Sequence, residues 1–274
     1  MSAAGAVFET IRIDAGNPSP ITGTGNRTYL LVGTGGSAAL IDAGVGEPDH
    51  LAAIGSHLSE RRAQLDLVLV THAHGDHARG APAIAERFPT ARFVKYPWPD
   101  EDHRYPVTWE PLSDGDTLVV AGQLVEVIHT PGHTPDHLAF SHRPSGTVWT
   151  GDLVTQGGSV MIHWSRGGDL SKYLRSLQRM MDLQPDHILP AHGPDVIDPA
   201  ALLGQFVKHR LLRERQVLDA LVRGPSTVQE IAESIYHGLA PALWPAALEN
   251  VRAHLEKLRD EVQVVNRDGR WQRP

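Results

Sequence analysis

The sequence predicts an α+β protein with a large mixed domain followed by a small, mainly helical one. Over the first three quarters of the chain, short apolar segments typical of strands alternate with turn residues and a few helical segments. Polar, histidine-rich loops directly follow several of these strands. Beyond about residue 206 the pattern changes to amphipathic helices. We therefore expect two domains, residues 1–204 and residues 205–274.

The most informative stretch is an apolar strand that runs into a cluster of ligand-type side chains. The segment 65–70 is short and mainly apolar, which is typical of a buried strand. Four ligand-type side chains follow it within seven residues: His72, His74, Asp76 and His77. His72 and His74 are two residues apart, so both can face one point from an extended segment. A single histidine here would be an ordinary polar loop residue. Four imidazole and carboxylate donors together predict a site for a divalent transition metal, zinc above all.

The composition excludes several kinds of chemistry. There are no cysteines, so disulfides, thiolate ligands and a cysteine nucleophile are excluded, and the 16 histidines agree with imidazole ligation. The first residues lack the features of a secretory signal, and no segment approaches 18 apolar residues, so we expect a cytoplasmic protein that does not bind membranes.

The net charge of −7 is distributed unevenly. From Lys208 onward there are 11 basic and 9 acidic residues, against 14 and 23 in the rest of the chain. An acidic first domain is a poor binder of polyanions unless bound metals or a local basic patch reverse its field.

The remaining elements of the first domain follow from turn residues and periodicity. We expect a helix at about residues 50–58, a helix over 76–88 interrupted near Gly80, and a helix from the capping residue Asp169 to about 183. The proline-rich segment 96–111 is expected to lack regular structure. Strands are expected at residues 7–14, 28–32, 38–41, 91–95, 117–120, 124–128, 137–141, 147–150 and 187–189.

The tail has the pattern of three helices and a hairpin. Helices are expected at 206–222, after a capping box from Thr227 to Glu230, and at about 245–258, and residues 266–269 form the turn of a hairpin. This order resembles a winged helix. The third helix mixes basic and acidic residues in nearly equal number, so we expect the module to shape a cleft or an interface rather than to read DNA.

The spacing of the histidine cluster also carries a family resemblance. His72-x-His74-x-Asp76-His77 resembles the signature of the metallo-β-lactamase superfamily. Further motifs of that family follow in order. They are Asp42 after a strand, His133 in Thr-Pro-Gly-His-Thr, Asp152 in Gly-Asp, and His192 in Ala-His-Gly. The resemblance implies a four-layer αβ/βα sandwich of two mixed sheets with helices outside.

The resemblance also implies roles. A first metal would be held by His72, His74 and His133, and a second by Asp76, His77 and His192, with Asp152 shared. Asp76 would orient a hydroxide held between the two metals and act as the catalytic carboxylate, and Asp42 would support the metal loop. We interpret His129 and His137 as ordinary histidines, although a supporting role stays open for His137. His163 is a candidate to face the substrate.

Together with the tail, the segment 16–30 narrows the resemblance to the lactamase-like protein 2 branch. That branch includes mitochondrial endoribonucleases acting on single-stranded RNA and thioesterases acting on polyketide carriers. Arg27 departs from the branch, in which a threonine commonly stands at this position.

The substrate stays open at this point. Hydrolysis of single-stranded RNA is the leading expectation, and small esters, thioesters, lactones or β-lactams are the alternative. A winged-helix nucleic-acid-binding regulator with a ligand-sensing domain is a hypothesis of another class. Two divalent ions are expected, with Zn²⁺ as the first choice and Mn²⁺ or Fe as alternatives. A homodimer is left open.

Overall fold

The computed structural model describes residues 8–19 and 23–274, which divide into two compact units. The first unit comprises the chain up to residue 130 together with 136–158 and 184–199. The second comprises 131–135, 159–183 and 200–274. The predicted second domain, 205–274, thus lies within a unit that also takes in two earlier segments.

The first unit contains a six-stranded sheet in the order β1 to β6, with antiparallel pairs at its start and parallel pairs from β3 onward. Four helices connect its later strands. The strands are β1 (Glu9–Asp14), β2 (Arg27–Val32), β3 (Ser37–Ile41), β4 (Gln64–Leu69), β5 (Arg92–Lys95) and β6 (Trp109–Pro111), and the helices are α1 (Pro48–Glu60), α2 (Gly75–Ala78), α3 (Ala81–Arg87) and α4 (Pro99–Asp102).

A five-stranded sheet completes the first unit. Its order is β11-β10-β9-β8-β7, and only the pair β10 and β11 is parallel. The strands are β7 (Thr117–Val120), β8 (Gln123–His129), β9 (Leu138–His142), β10 (Thr147–Gly151) and β11 (His187–Pro190).

The two faces of the first sheet bury different partners because side chains alternate along a strand. Leu30 and Leu40 join a core with Ile54 of α1 and Ile84 of α3. Their neighbours, Leu31 among them, pack instead with the apolar face of the second sheet. The helices, the first sheet and the second sheet thus form successive layers of the first unit. This arrangement confirms the predicted α+β class.

This topology directs several chain segments to one place. The strands β3 and β4 are parallel, so Asp42 and the histidine-rich loop leave the sheet at the same edge. Gly151 and Pro190 are paired at the ends of β10 and β11, and Asp152 and the 191–193 turn follow them.

The second unit contains α5 (Leu170–Leu183), α6 (Pro199–Ala220), α7 (Val228–Ile235), α8 (Trp244–Asp260) and the two-stranded wing of β12 (Val265–Arg267) and β13 (Arg270–Gln272). A core that includes Leu221, Ile231, Leu255 and Trp271 joins the last three helices to the wing. The predicted capping box is confirmed, because Thr227 Oγ1 accepts from the Glu230 backbone N–H and the Glu230 carboxylate accepts from that of Thr227.

Most predicted elements are confirmed within a few residues, including the break between α2 and α3. A Cβ on Gly80 would lie 2.1 Å from the Ala43 carbonyl oxygen, so only glycine fits this close approach. Residue 7 of the first predicted strand lies outside the described residues. Across the described residues, no helix is long and apolar enough to cross a membrane.

Two predictions are wrong. The segment 96–111 contains α4 and β6, because Pro99 lies in the first turn of its helix and Pro111 ends an edge strand, where a missing N–H is tolerated. The first tail helix begins at Pro199 rather than residue 206, since proline suits a first helical position.

Candidate metal centre

Asp42 lies at the base of the histidine-rich loop. It follows β3 in the left-handed region, at φ 63°, where aspartate is tolerated better than most residues. Its Oδ1 accepts the Thr71 backbone N–H at 2.8 Å and the Thr71 hydroxyl at 2.9 Å, and its Oδ2 accepts His77 Nδ1 at 2.8 Å. One buried carboxylate thus fixes both the start of the loop and the ring of His77.

Two groups of ligand-type side chains converge beside this carboxylate. In the first, His72, His74 and Asp152 each offer a donor atom, and these atoms lie within 4.8 Å of one another. His72 Nε2 and His74 Nδ1 are only 3.0 Å apart. In the second, Asp76, His77 and His192 meet the same distance limit.

Asp152 faces both groups. Its Oδ1 is 3.4 Å from His77 Nε2 and 3.3 Å from His192 Nε2, while Asp76 Oδ2 is 3.5 Å and 3.3 Å from the same two nitrogens. This placement agrees with the shared role that the family resemblance implies for Asp152.

The outer nitrogens of three of these histidines face oxygen atoms. His72 Nδ1 lies 3.0 Å from the Thr71 hydroxyl, His77 Nδ1 donates to Asp42, and His192 Nδ1 is 3.4 Å from the Gly25 carbonyl oxygen. A proton on Nδ1 leaves the lone pair on Nε2, which is the form that binds a metal.

The charges of the second group depend on one another. Burial opposes a charge on His77, but the carboxylates of Asp42, Asp76 and Asp152 outweigh burial and raise its pKa well above the usual value. The pKa of His192 is raised in the same way. Burial lowers this pKa, but the carboxylates of Asp152 and Asp76 outweigh the effect of burial. Burial would raise the pKa of Asp76, yet the two histidines lower it to about 2.

These residues fit a divalent cation. Within the described part of the chain, the buried His77 Nε2 has no hydrogen-bond partner, although it points at two carboxylates. Imidazole nitrogens mixed with carboxylate oxygens are a donor set typical of zinc, manganese and iron. Positive charge at this point would take the place of the protons that the carboxylates otherwise hold on His77 and His192.

His133 lies in the second unit, on the segment 131–135. Its Nδ1 donates to the Met161 carbonyl oxygen at 2.8 Å, so its Nε2 is also left with the lone pair. The segment is held at the start of α5: the N–H of Asp169, directly before the helix, donates to the Gly132 carbonyl oxygen at 2.8 Å, and the Ser176 hydroxyl of α5 donates to the Pro131 carbonyl oxygen at 2.8 Å.

The weaker histidine candidates differ in their surroundings. His163 belongs to the second unit, where burial and Arg166 lower its pKa. His137 supports Asp152: its Nε2 accepts the Asp152 backbone N–H at 3.0 Å and its Nδ1 is 2.8 Å from the Thr130 hydroxyl. His129 stacks on Tyr96, with ring centroids 4.1 Å apart.

Sequence reasoning missed two supports of the site, and it placed a third residue, Arg27, near the cleft only as a departure from the branch that alters specificity. Asn26 Nδ2 donates to the Asp76 carbonyl oxygen, and Thr71 joins Asp42 to His72. Arg27 donates to the Gly193 carbonyl oxygen, next to His192. The only local signal is position, since Asn26 follows a glycine-rich turn and Thr71 directly precedes the first histidine.

Comparison with known proteins accounts for this arrangement. The metallo-beta-lactamase superfamily model matches residues 22–192. The chain belongs to the metallo-β-lactamase superfamily. A beta-lactamase-associated winged helix domain matches residues 227–271, so the winged helix predicted from the tail is confirmed as well.

Similar superfamily members cover almost the whole chain. The beta-lactamase-like protein 2 homolog of Drosophila melanogaster is 34% identical over 263 residues, which are 92% of this chain and 88% of the relative. The atrochrysone carboxyl ACP thioesterase of Aspergillus chevalieri is 35% identical over 243 residues, 84% of this chain and 74% of the relative. A metallo-beta-lactamase family protein from Thermus thermophilus has a similar structure, with a TM-score of 0.77, 25% identity, and coverage of 97% of this chain and 98% of its own.

Proposed function

We propose that this chain is a binuclear metal-dependent hydrolase that cleaves an acyl thioester or a related small ester. The observation that carries the proposal is the position of Asp152, whose carboxylate belongs to one ligand group and whose Oδ1 lies 3.3–3.4 Å from two histidines of the other. In this proposal the first cation is held by His72, His74, His133 and Asp152. The second is held by Asp76, His77, His192 and Asp152.

The chain's own residues have clear roles in such a reaction. When bound, the two ions would lower the pKa of a water molecule from 15.7 toward about 7 and stabilise the negative charge that develops on the substrate. Asp76 is ionised at neutral pH, so its carboxylate accepts a hydrogen bond from the attacking water and orients it. The same carboxylate carries a proton from that water to the leaving group. Asp42 and His137 belong to neither ligand group, but they position two of the proposed ligands: Asp42 binds the ring of His77, and His137 binds the backbone N–H of Asp152.

The charge of the first unit supports a small acyl substrate rather than a polyanion. This unit has 10 basic and 21 acidic residues. Its Arg27 reaches the turn beside His192, but Asp14 and Asp195 lie 3.8 Å and 3.7 Å from the guanidinium. A cation engaged in this way contributes little to phosphate binding. The name of the relative from Aspergillus chevalieri, a carboxyl ACP thioesterase, adds support for thioesters.

The test compares three substrate classes on one preparation. Full-length protein reconstituted with Zn²⁺ is assayed with an acyl-N-acetylcysteamine thioester, with p-nitrophenyl acetate and with a fluorescent single-stranded RNA. His74→Ala removes a proposed ligand, and His57→Ala, on α1, is the matched control. We expect thioester cleavage by the wild type and by His57→Ala, and loss of cleavage in His74→Ala.

Other outcomes separate the alternatives. RNA cleavage that depends on His74, without thioester cleavage, would favour the RNA prediction made from the sequence and contradict the thioester. Failure to cleave any substrate by protein that holds two zinc ions would contradict the hydrolase itself.

The contacts of α8 count against the regulator hypothesis. Of the polar side chains that α8 could offer to DNA, Glu249 and Arg252 contact the turn at 164–166 instead. A recognition helix needs such side chains free to reach base edges.

A further inference from the structure

A buried arginine ties α6 to two other parts of the second unit. Arg210 is only 2% exposed. Its guanidinium donates to the Val160 carbonyl oxygen and, at 3.3 Å, to Asn250 Oδ1 of α8, and it lies 5.2 Å from the ring centroid of Tyr173. Burying a cation against neutral partners is costly, which points to a positional role for this residue.

The segment 159–168 is also held by α8. The Ser165 backbone N–H donates to the Glu249 carboxylate at 3.0 Å, and the Arg252 guanidinium lies 4.2 Å from the Trp164 ring centroid, a cation–π distance. The segment turns tightly on itself, since the His163 carbonyl oxygen accepts from the N–H groups of Arg166 and Gly168. Three side chains of α6 and α8 therefore hold this short segment at Val160, Trp164 and Ser165.

This same segment presents the carbonyl that binds His133. Met161 lies between Val160, which Arg210 holds, and Trp164, which Arg252 holds. The Met161 carbonyl oxygen is a pure acceptor, so His133 must carry its proton on Nδ1. Displacement of this carbonyl would free the imidazole to rotate or to change tautomer.

We propose that α6 and the winged-helix domain position His133 for metal binding, through contacts of Arg210, Glu249 and Arg252 with the segment that contains Met161. The winged helix then supports the metal centre instead of binding nucleic acid. This inference rests on the proposed function, because it takes His133 as a ligand. The three side chains are positioning residues, since none of them offers a donor to the metal.

The experiment is a zinc titration of the metal-free full chain by calorimetry. The double variant Glu249→Ala/Arg252→Ala removes both contacts of α8 with the segment and leaves the net charge unchanged. Arg259→Ala/Asp260→Ala is the matched control, because it removes a neighbouring charged pair on the same helix and Arg259 is about as exposed as Arg252, at 48% and 44%. Loss of an outer partner of a ligand typically weakens metal binding about 10–100-fold.

We expect the double variant to bind one of its two zinc ions about tenfold more weakly, with the other affinity unchanged. Glu249→Gln in place of Glu249→Ala should recover part of the affinity, since it keeps an acceptor for Ser165. In a His133→Ala background the double variant should cause no further loss, because both changes act on the same ligand.

Two results would overturn the inference. One is a double variant whose two zinc affinities equal those of the control variant. The other is an equal loss with and without His133, which would mean that the contacts act on another part of the site. If the wild type itself binds fewer than two zinc ions, the proposed function fails, and this result is distinct from the other two.

Discussion

Histidines in this molecule are buried in two different ways. His77 and His192 face carboxylates, and these raise their pKa values against the effect of burial. His50 and His254 face a hydroxyl group and backbone carbonyls, respectively, and burial lowers their pKa values to about 4. Burial alone therefore does not distinguish the two kinds of histidine. The carboxylates that face His77 and His192 do, because they favour a cation at this place.

The hydrogen bonds of the two kinds differ accordingly. The Nδ1 of His77 is fixed by Asp42, and its Nε2 is left facing the ligand group. Both nitrogens of His254 face carbonyl oxygens, at 2.7 Å from Asn250 and 3.2 Å from Arg210. A neutral ring can donate only one hydrogen bond, and the shorter contact to Asn250 is the better candidate. Neither ring nitrogen of His254 therefore faces a ligand-type side chain.

The strongest test of this difference changes Asp42. Asp42→Asn keeps the size and tolerates the left-handed backbone, but an amide has only one oxygen. It cannot accept from both Thr71 and His77, so the imidazole of His77 loses its fixed orientation. We expect about 10–100-fold weaker zinc binding, with hydrolysis falling in parallel, as measured by calorimetry and by the thioester assay.

Asp66→Asn is the matched control for Asp42→Asn. Asp66 lies on β4 and accepts a hydrogen bond from the Ser37 hydroxyl at 2.5 Å, so it is also a hydrogen-bonded carboxylate between the same two strands. Zinc affinity should be unchanged in this variant. Equal losses in both variants would mean that the sheet, not the His77 contact, sets the affinity.

Local sequence was sufficient to predict most of the side chains that converge in the two ligand groups, and most elements. His72 to His77 lie within one loop, and Asp42, Asp152 and His192 each follow a strand, so spacing and strand ends point to them. The break at Gly80 and the capping box at Thr227 are likewise local features, readable from a few adjacent residues.

What the sequence did not predict depends on contacts between distant residues. Lys95 ends a short strand and looks like a surface residue, yet it is 1% exposed, with Nζ 2.6 Å from Asp102 and 3.1 Å from Asp136. Asn26 reaches Asp76 across 50 positions, and Arg210 reaches Val160 across 50. No periodicity encodes such pairs, because each depends on how separate elements pack.

The second prediction concerns the neutral kind of histidine. His50 has a pKa of about 4 in the folded protein, below the value of about 6.5 expected when unfolded. As pH falls below 6.5 the unfolded chain takes up the proton first, so stability present above pH 6.5 is lost between pH 6.5 and 4. The contribution of His50 amounts to at most about 1.4 kcal/mol per pH unit.

Urea unfolding of the metal-free protein at pH 6.5, 5.5 and 4.5 measures this loss. His50→Gln keeps a hydrogen-bonding side chain near Thr28 but does not titrate, so its unfolding midpoint should fall less steeply with pH than that of the wild type. His57→Gln, on the same helix, controls for the loss of a histidine. Parallel curves for the wild type and His50→Gln would show that His50 is not the buried neutral group inferred here.

The smallest effect is expected at His129, which lies in the same histidine-rich run as His133 and His137. Its ring stacks on Tyr96 at an interplanar angle of 3°, and within the described residues it belongs to neither ligand group. His129→Ala should cost about 0.5–1.5 kcal/mol of stability, because that is the value of a stacked aromatic pair. It should retain the zinc stoichiometry and activity of the wild type. Loss of a zinc ion in this variant would mean that His129 is a metal ligand although it belongs to neither ligand group. Neighbouring carboxylates would then not be sufficient to identify the histidines that bind a metal.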